Sequence, residues 1–380
     1  EAIDKANACN ALSRDIYTDN TRFIYELLQN ADDASCKSGS LTFNLEFVGD
    51  YLIVSHKGKA FDENDVESIC SIGDGSKSAD SEQTGFKGIG FKSVFAYSDL
   101  VIIKSGDFCF KFDKEESNNF WDDKWGIKNS WQQMRRSKGK TDKVSMPWQI
   151  IPISTDIPHT ILANKLFGYT VSTIIKCKKT EELKESVQNL FSSAQLILFL
   201  RSKNVNVIIN TGNILQIEKR TTNDVTTISK NGEIISRWLM HATIPFDVPS
   251  HIREQMEEDK DHYPEKLREA TKASISFAIS LEKGKIKKLD NETNNIYSFL
   301  PTSVNSYDFP FIVNSNFITD AGRQNLHQDY VWNQWLFEEM PKHYLTWIGK
   351  IAKEGKYGLD FLKVIVKKSG AYDKLAKVYD

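Results

Sequence analysis

Three glycines stand directly before a predicted helix in the segment GFKGIGFKS, residues 85–93. Gly85, Gly88 and Gly90 would let the main chain approach a phosphate closely, and the helix N-terminus offers unpaired N–H groups and the positive end of its dipole. The segment therefore predicts phosphate binding. Glycines also serve tight turns, and this segment has neither the Gly-Lys-Ser/Thr ending of a P-loop nor the βαβ setting of a dinucleotide-binding motif.

A second group of polar residues recurs at helical spacing in TRFIYELLQNADDASCK, residues 21–37. Glu26 and Asn30 are four positions apart, and Asp33 follows three later. In an α-helix this spacing brings two carboxylates and an amide together on one face. Taken alone, the pattern favours a polar helix face that is merely solvated. The neighbouring glycine segment makes a binding site the stronger interpretation.

The elements that must position these residues follow from hydrophobic periodicity and turn signals. Residues 21–37 carry an apolar stripe opposite the polar face, and Gly39 is expected to end the helix. Gly49-Asp50 predicts a hairpin turn between two strands. Further elements are predicted as strands at 41–47, 51–55, 100–104, 108–112 and 170–176, and as helices at 61–72, 91–97 and 181–190.

The second half of the chain is less periodic. A composition change near residues 178–186 predicts a domain boundary, and residues 114–146 are interpreted as a polar surface excursion. Strands are predicted at 196–200, 205–209 and 274–281, and helical structure at 247–273 and from Trp332 onward. The aromatic residues of the last segment are predicted to pack in a core or against a partner helix: Trp332, Trp335, Phe337, Tyr344 and Trp347.

Composition excludes several classes of protein. The 380 residues suggest two or three domains, and 49 basic against 51 acidic residues do not favour a globally basic nucleic-acid binder. No apolar run is long enough to span a bilayer. The five cysteines form no zinc or disulfide pattern, and the first residues do not resemble a signal peptide, so we expect a cytoplasmic or nuclear protein. Without an initiator methionine, the chain is expected to be part of something longer.

Together the motifs resemble a known superfamily. Residues 23–95 are similar to the GHKL ATPases, which include gyrase B, MutL, the HtpG-type chaperones and sensor histidine kinases. The similarity lies in three motifs that follow one another in this order: FIYELLQNADDA, SIGDGSKS and TGFKGIGFKSVF. Within this superfamily, the residues of the three motifs are most similar to those of the sacsin and No Vein branch. The resemblance is strong over residues 14–110.

The resemblance implies a role for each matching residue. Glu26 corresponds to the glutamate that polarises the attacking water, and Asn30 to the asparagine that binds Mg²⁺ between the phosphates. Asp33 and Lys37 correspond to residues lining the nucleotide pocket, and Thr170 to a threonine beside adenine. The other implied nucleotide-binding residues are Gly58, Ser76, Lys77, Gly85, Phe86, Lys87, Gly88, Ile89, Gly90, Phe91, Lys92 and Ser93, with residues 73–90 as the lid.

One position departs from the family pattern. The family aspartate that accepts the adenine amino proton is replaced by His56 in SHKGKAF, although Gly58 is in place. A neutral imidazole could accept through one nitrogen, but it carries no negative charge. Adenine could be held differently, nucleotide selectivity could be loosened, or binding could be weak. Alternatively, His56 is only a strand-end residue.

A downstream arginine is the second predicted catalytic residue. Residues 309–314 form an apolar segment that leads into a polar loop containing Arg323. An arginine on such a loop could reach the γ-phosphate from a second domain, as an arginine in a similar setting does in the HtpG-type chaperones. Alternatively, Arg323 forms a salt bridge within its own domain.

The implied fold is α+β. We expect a two-layer α/β sandwich of the GHKL type over residues 1–185, a transducer-like α+β domain over 186–345, and a C-terminal helical segment over 346–380. The implied ligands are ATP and Mg²⁺, and the implied function is a chaperone-like switch that hydrolyses ATP slowly, with lid closure coupled to the second domain.

Two other functions stay open from the sequence. The protein could be a nucleotide-binding scaffold without significant turnover, or a DNA-linked ATPase of the MutL or gyrase type, although the net charge of −2 does not favour nucleic acid. The expected partners are protein clients, further domains of a longer chain, or a second copy in an ATP-dependent dimer. No membrane partner is expected.

Overall fold

A computed structural model describes residues 21–71, 91–121, 126–140, 144–161, 165–289, 296–302, 307, 309–320 and 325–366. These residues divide into two compact units. The first unit contains the described residues up to Leu190 together with residues 207–214, and the second contains residues 191–206 and those from 215 onward. Helices and mainly antiparallel strands occur in both units, which confirms the α+β prediction at this level.

The elements of the first unit are α1 (Arg22–Ser35), β1 (Ser40–Val48), β2 (Tyr51–His56), α2 (Glu63–Cys70), α3 (Val94–Tyr97), β3 (Leu100–Ser105), β4 (Phe108–Asp113), α4 (Lys114–Asn118), α5 (Lys128–Ser137), β5 (Ile153–Ser154), β6 (Val171–Lys176), α6 (Thr180–Leu190) and β7 (Asn204–Asn210). The strands lie side by side in the order β7-β1-β2-β6-β3-β4-β5, and each neighbouring pair from β1 to β5 in this order is antiparallel. Residues 207–210 of β7 belong to this unit and lie beside β1.

Helix α1 packs on β1, as its apolar stripe predicts. The stripe is fully or almost fully buried, and Gly39 ends the following turn at a φ of +68°, which glycine adopts without strain. The register of β1 and β2 pairs Phe43 with His56 and Leu45 with Val54. Cross-strand partners project from the same face of a sheet, so His56 shares its face with buried apolar side chains.

The predicted surface excursion has a small core of its own. Trp121, Val144 and Met146 are buried together, and Phe120 and Trp131 pack against them. Helices α4 and α5 belong to this segment. The sequence shows no clear periodicity here because the buried residues come from separate short stretches rather than from one helix or strand.

The elements of the second unit are β8 (Ile214–Thr222), β9 (Val225–Lys230), β10 (Glu233–Ala242), β11 (Phe246–Asp247), α7 (Ser250–Glu258), α8 (Glu265–Arg268), β12 (Lys272–Ala273), β13 (Ser276–Glu282), β14 (Lys285–Ile286), β15 (Ile296–Ser298), β16 (Leu300–Pro301), β17 (Ile312–Asn314) and α9 (Val331–Glu354). The strands lie side by side in the order β16-β15-β17-β13-β10-β9-β8, with β14 paired to β13 and a separate pair of β11 and β12. Only β15 and β17, among the strand pairs described in this unit, run parallel.

Helix α9 supplies much of the core of the second unit, which confirms the packing prediction for its aromatic residues. Trp332 and Tyr344 are fully buried, and Tyr344 stacks on Phe311 with ring centroids 3.8 Å apart. Trp335, Phe337 and Trp347 belong to the same apolar cluster. Among the described residues, none of the helices is both long and apolar enough to cross a bilayer.

Two secondary-structure predictions for this unit were wrong. Residues 196–200 do not form a strand, since Ala194–Ile197 form a 3₁₀ turn; a short buried apolar run has no periodicity that separates the two. The predicted helical stretch at 247–273 is two short helices, α7 and α8, followed by β12. Pro249 and Pro264 stand immediately before these helices, where proline is tolerated, and Pro264 prevents one continuous helix.

Asn333 anchors the loop that precedes α9. Its Oδ1 accepts a hydrogen bond from the Ile318 N–H at 2.9 Å, and its Nδ2 donates to the carbonyl oxygens of Ile318 at 2.7 Å and His327 at 2.9 Å. The adjacent Trp332 Nε1 donates to the Asn316 carbonyl at 2.8 Å. Both side chains are fully buried, so the two ends of the loop are held against the helix start.

We expect Asn333→Ala to lower the free energy of unfolding by about 2–4 kcal/mol, because it leaves several buried main-chain groups unpaired. The matched control is Gln334→Ala, which removes one exposed amide hydrogen bond to the Gln328 carbonyl and should cost less than about 0.5 kcal/mol. Urea denaturation of the two variants measures the difference. Equal losses would contradict the anchoring role of Asn333.

Candidate nucleotide site

The polar face of α1 is not a solvated surface. Glu26 is 9% exposed and Asp33 is 8% exposed, while Asn30 is half-buried. Charged side chains are rarely buried to this degree unless they are paired, because removing a carboxylate from water costs free energy. The interpretation of this face as simply solvated is therefore wrong for both carboxylates.

The main chain at Gly58 touches α1 directly. A Cβ atom at this position would lie 2.7 Å from the Cβ and 2.9 Å from the carbonyl carbon of Ala34. The next residue ties the two segments together, since the Lys59 N–H donates to the Ala34 carbonyl at 2.9 Å. Only glycine fits here, and the contact places the turn after β2 beside the helix residue that follows Asp33.

Thr170 completes this corner of the first unit. Its hydroxyl lies 2.6 Å from the Gly58 carbonyl oxygen and 3.0 Å from the His56 carbonyl oxygen, and its N–H donates to the same His56 oxygen at 3.0 Å. Thr170 directly precedes β6, whose pairing with β2 brings it to the end of β2. The structure thus brings Thr170, Gly58 and His56 together, although Thr170 is more than a hundred positions from the other two in sequence.

His56 is buried and held as a neutral imidazole. Its Nδ1 accepts a hydrogen bond from the Gly58 N–H at 3.1 Å. Burial lowers the pKa of His56 from 6.5 to about 4, because the protonated ring would lose its hydration. At neutral pH the ring therefore carries no charge where the family pattern has an aspartate.

The segment after the three glycines also meets α1. Phe91–Ser93 form a 3₁₀ turn that packs against this helix. Lys92 is 7% exposed, and its Nζ donates to the Gln149 carbonyl at 2.9 Å and to the Ile69 carbonyl. The ammonium group also lies over the rings of Phe95 and Phe112, where a cation is attracted to the aromatic face. These contacts hold the end of the glycine segment in place.

Lys37, in contrast, lies exposed in the turn that follows α1. The remaining predicted site residues lie outside the described residues: Ser76, Lys77, Gly85, Phe86, Lys87, Gly88, Ile89, Gly90 and Arg323. Their predicted roles stay predictions. The part of the site that the structure describes therefore consists of the polar face of α1, the Gly58 turn, Thr170 and the Phe91–Ser93 segment.

Two residues of this site were missed in the sequence. Gln29 is 4% exposed on the same side of α1 as Glu26 and Asp33, and within the described part of the chain its Oε1 has no hydrogen-bond partner. A buried acceptor of this kind is expected where a ligand or ordered water binds. Its helical spacing of three from Glu26 was the available signal. Ala34 had no signal, because its contact with Gly58 exists only in the folded chain.

We expect Gly58→Ala to destabilise the protein by about 1–3 kcal/mol and to move α1 away from the turn, because overlap with Ala34 cannot be relieved at a main-chain carbon. The control is Gly349→Ala in α9, where nothing lies within 4 Å of the added Cβ. That substitution should stabilise by about 0.4–1 kcal/mol through the unfolded chain. Thermal unfolding compares the two variants, and a Gly58→Ala protein as stable as the wild type would contradict the close contact.

Comparison with known proteins agrees with the sequence motifs. Residues 44–227 match the family described as the Sacsin domain. The chain is 26% identical over 345 residues to Protein NO VEIN of Arabidopsis thaliana, a match that covers 88% of this chain and 11% of that protein. It is 26% identical over 197 residues to Sacsin of Homo sapiens, covering 45% of this chain and 4% of sacsin.

The chain thus spans about a tenth or less of the length of these two relatives. The matches confirm the resemblance to the sacsin and No Vein branch, and they extend beyond the motif region into the second unit. Residues 44–227 carry the sacsin-domain pattern, and the chain as a whole is similar to proteins of the sacsin and No Vein branch.

Proposed function

We propose that the first unit has the GHKL fold and that its site binds a nucleoside triphosphate, ATP by the family resemblance, and hydrolyses it slowly. The observation that carries this proposal is the buried polar face of α1 beside the Gly58 turn. Buried carboxylates next to a main chain without side-chain bulk suit a ligand that combines phosphates, a cation and water.

The residues present fit Mg²⁺ bound together with a nucleotide. Mg²⁺ prefers oxygen ligands and is commonly held by one or two protein groups plus substrate phosphates, so the Asn30 amide oxygen is a suitable single ligand. In the described part of the chain, no group of three or more histidine, cysteine or acidic residues could hold a metal without such a partner. When bound, the ion would neutralise phosphate charge.

Glu26 would act on the attacking water. Its carboxylate orients the water towards the γ-phosphorus and accepts a proton as the new P–O bond forms and the bond to the bridging oxygen of the leaving diphosphate breaks. Shielding of Glu26 from bulk solvent keeps one water in a defined position. Asp33 and Gln29 would bind the nucleotide or its ordered water from the same helix face.

We also propose that turnover drives a chaperone-like conformational switch in the cytoplasm, with residues 186–345 as the transducer domain. The similarity to the sacsin and No Vein branch and to the HtpG-type chaperones supports this part. A scaffold that binds nucleotide without turnover is the second candidate, favoured by the neutral His56 at the position of the family aspartate. Steady-state phosphate release separates the two.

We expect Glu26→Gln to leave the affinity for Mg²⁺ and ATP nearly unchanged and to lower kcat by about 10²–10⁴-fold, since the amide cannot accept the proton. Asn30→Ala should instead weaken binding of the Mg²⁺–ATP complex. Calorimetric titration and phosphate release measure the two effects.

Glu181→Gln is the control for loss of a carboxylate, because Glu181 is highly exposed on α6 and pairs at the surface with Lys184. It should change neither quantity. If Glu26→Gln turns over ATP at the wild-type rate, the catalytic assignment is wrong and the scaffold is the better description. If the wild-type protein binds no nucleotide, the proposed function itself is wrong.

A further inference from the structure

Lys92 is a buried cation that joins three segments of the first unit. Its side chain is 7% exposed, and its Nζ donates to the Gln149 carbonyl at 2.9 Å and to the Ile69 carbonyl. Because an ammonium group carries three donors, one lysine can hold carbonyl oxygens that come from different parts of the chain. Removing an ammonium group from water costs free energy, and these hydrogen bonds offset part of that cost.

The Ile69 carbonyl lies in the last turn of α2, which ends at Cys70. The last four carbonyls of a helix have no partner within the helix, and they form the negative end of its dipole. A cation is therefore favoured at this end. Lys92 supplies it from 23 positions further along the sequence.

The main chain of Lys92 belongs to the turn Phe91–Ser93, which packs against α1. Its ammonium group lies 5.7 Å from the ring centroid of Phe95 and 5.4 Å from that of Phe112, and attraction to these rings restricts its position further. The side chain thus ties the end of α2 to the turn on α1. Residues 72–90, which contain the three predicted phosphate-binding glycines, connect these two points in the sequence.

We propose that Lys92 is a positioning residue for nucleotide binding: its ammonium group sets the end of α2 and the turn on α1 at a fixed separation before a nucleotide binds. This inference rests on the proposed nucleotide-binding function and gives the Lys92 side chain a role that acts through the segments it joins. A main-chain contact of Lys92 with a phosphate is compatible with that role. A site whose ends are fixed in advance binds more tightly, because the nucleotide does not have to order them.

The test is Lys92→Met, which keeps an unbranched apolar stem beside Phe95 and Phe112 but has no donor. We expect it to raise the Kd for Mg²⁺–ATP about tenfold or more, because apparent affinity falls with the fraction of molecules in which the site is arranged for binding. Saturating ATP restores that arrangement, so kcat should stay within about twofold of the wild type. This is the reverse of the pattern expected for Glu26→Gln. Calorimetric titration and steady-state phosphate release measure the two quantities.

Lys219 offers a matched control in the second unit. It is 4% exposed, and its Nζ donates to the Leu200 carbonyl. Lys219→Met removes a buried ammonium group of the same kind, so it should lower stability without changing the Kd for Mg²⁺–ATP. Lys92→Arg keeps the charge and the donors, and it should bind ATP more tightly than Lys92→Met.

A measurement on the wild-type protein covers the case in which Lys92→Met does not fold. Reductive methylation without nucleotide, followed by mass spectrometry, compares the reactivity of individual lysines. Lys92 and Lys219 should react much more slowly than the exposed Lys57, because both donate buried hydrogen bonds. Methylation of Lys92 as fast as that of Lys57 overturns the proposal.

The other results also have distinct meanings. An unchanged Kd in folded Lys92→Met, or an equal rise in Lys219→Met, overturns the positioning role. A lower kcat with an unchanged Kd also overturns it, since that result indicates contact with the reacting phosphate. No binding of ATP by the folded wild type overturns the proposed function, and the positioning role with it. A rise in Kd in Lys92→Met alone supports both, and this comparison applies equally to a protein that binds ATP without turnover.

Discussion

The contact between the main chain at Gly58 and Ala34 of α1 is the constraint on which the candidate site depends. A Cβ atom at residue 58 would lie 2.7 Å from the Ala34 Cβ, so residue 58 has no room for a side chain. The hydrogen bond from the Lys59 N–H to the Ala34 carbonyl fixes the direction of approach. Since a helix moves as a rigid body, this one contact sets where the polar face of α1 lies relative to the end of β2.

Two carboxylates on the polar face of α1 are buried in the first unit, since Glu26 and Asp33 are 9% and 8% exposed. Burying a carboxylate costs free energy that its partners must offset, and both groups take part in interactions within the chain. In the proposed function, a bound cation and phosphates would add further partners at this face.

Much of this architecture could be predicted from the sequence. The apolar stripe of α1 and the turn at Gly49-Asp50 have strong local signals, and the structure contains both elements close to the predicted bounds. The prediction of a strand at 196–200 was wrong because a short buried apolar run has the same residue pattern in a strand as in a 3₁₀ turn. The sequence shows the helical spacing of the polar residues on α1, but it does not show that they are buried.

Other parts of the site depend on contacts between distant segments, which no local pattern contains. The Nδ1 hydrogen bond of His56, and hence its tautomer, follows from the turn geometry. The Lys92 ammonium group donates to the main-chain carbonyls of Ile69 and Gln149, which lie in other parts of the sequence. No local sequence pattern predicts these two contacts.

The place of β7 has a consequence for how the protein is made. The first unit receives residues 207–210 only after the chain has passed through residues that belong to the second unit. Until then β1 has a neighbour on the β2 side only, and its other edge exposes unpaired N–H and C=O groups that can pair with another chain. Because domains fold as they emerge from the ribosome, the first unit can close this edge only once residues 207–210 have been synthesised, and nascent chains that stop short of β7 should be prone to association.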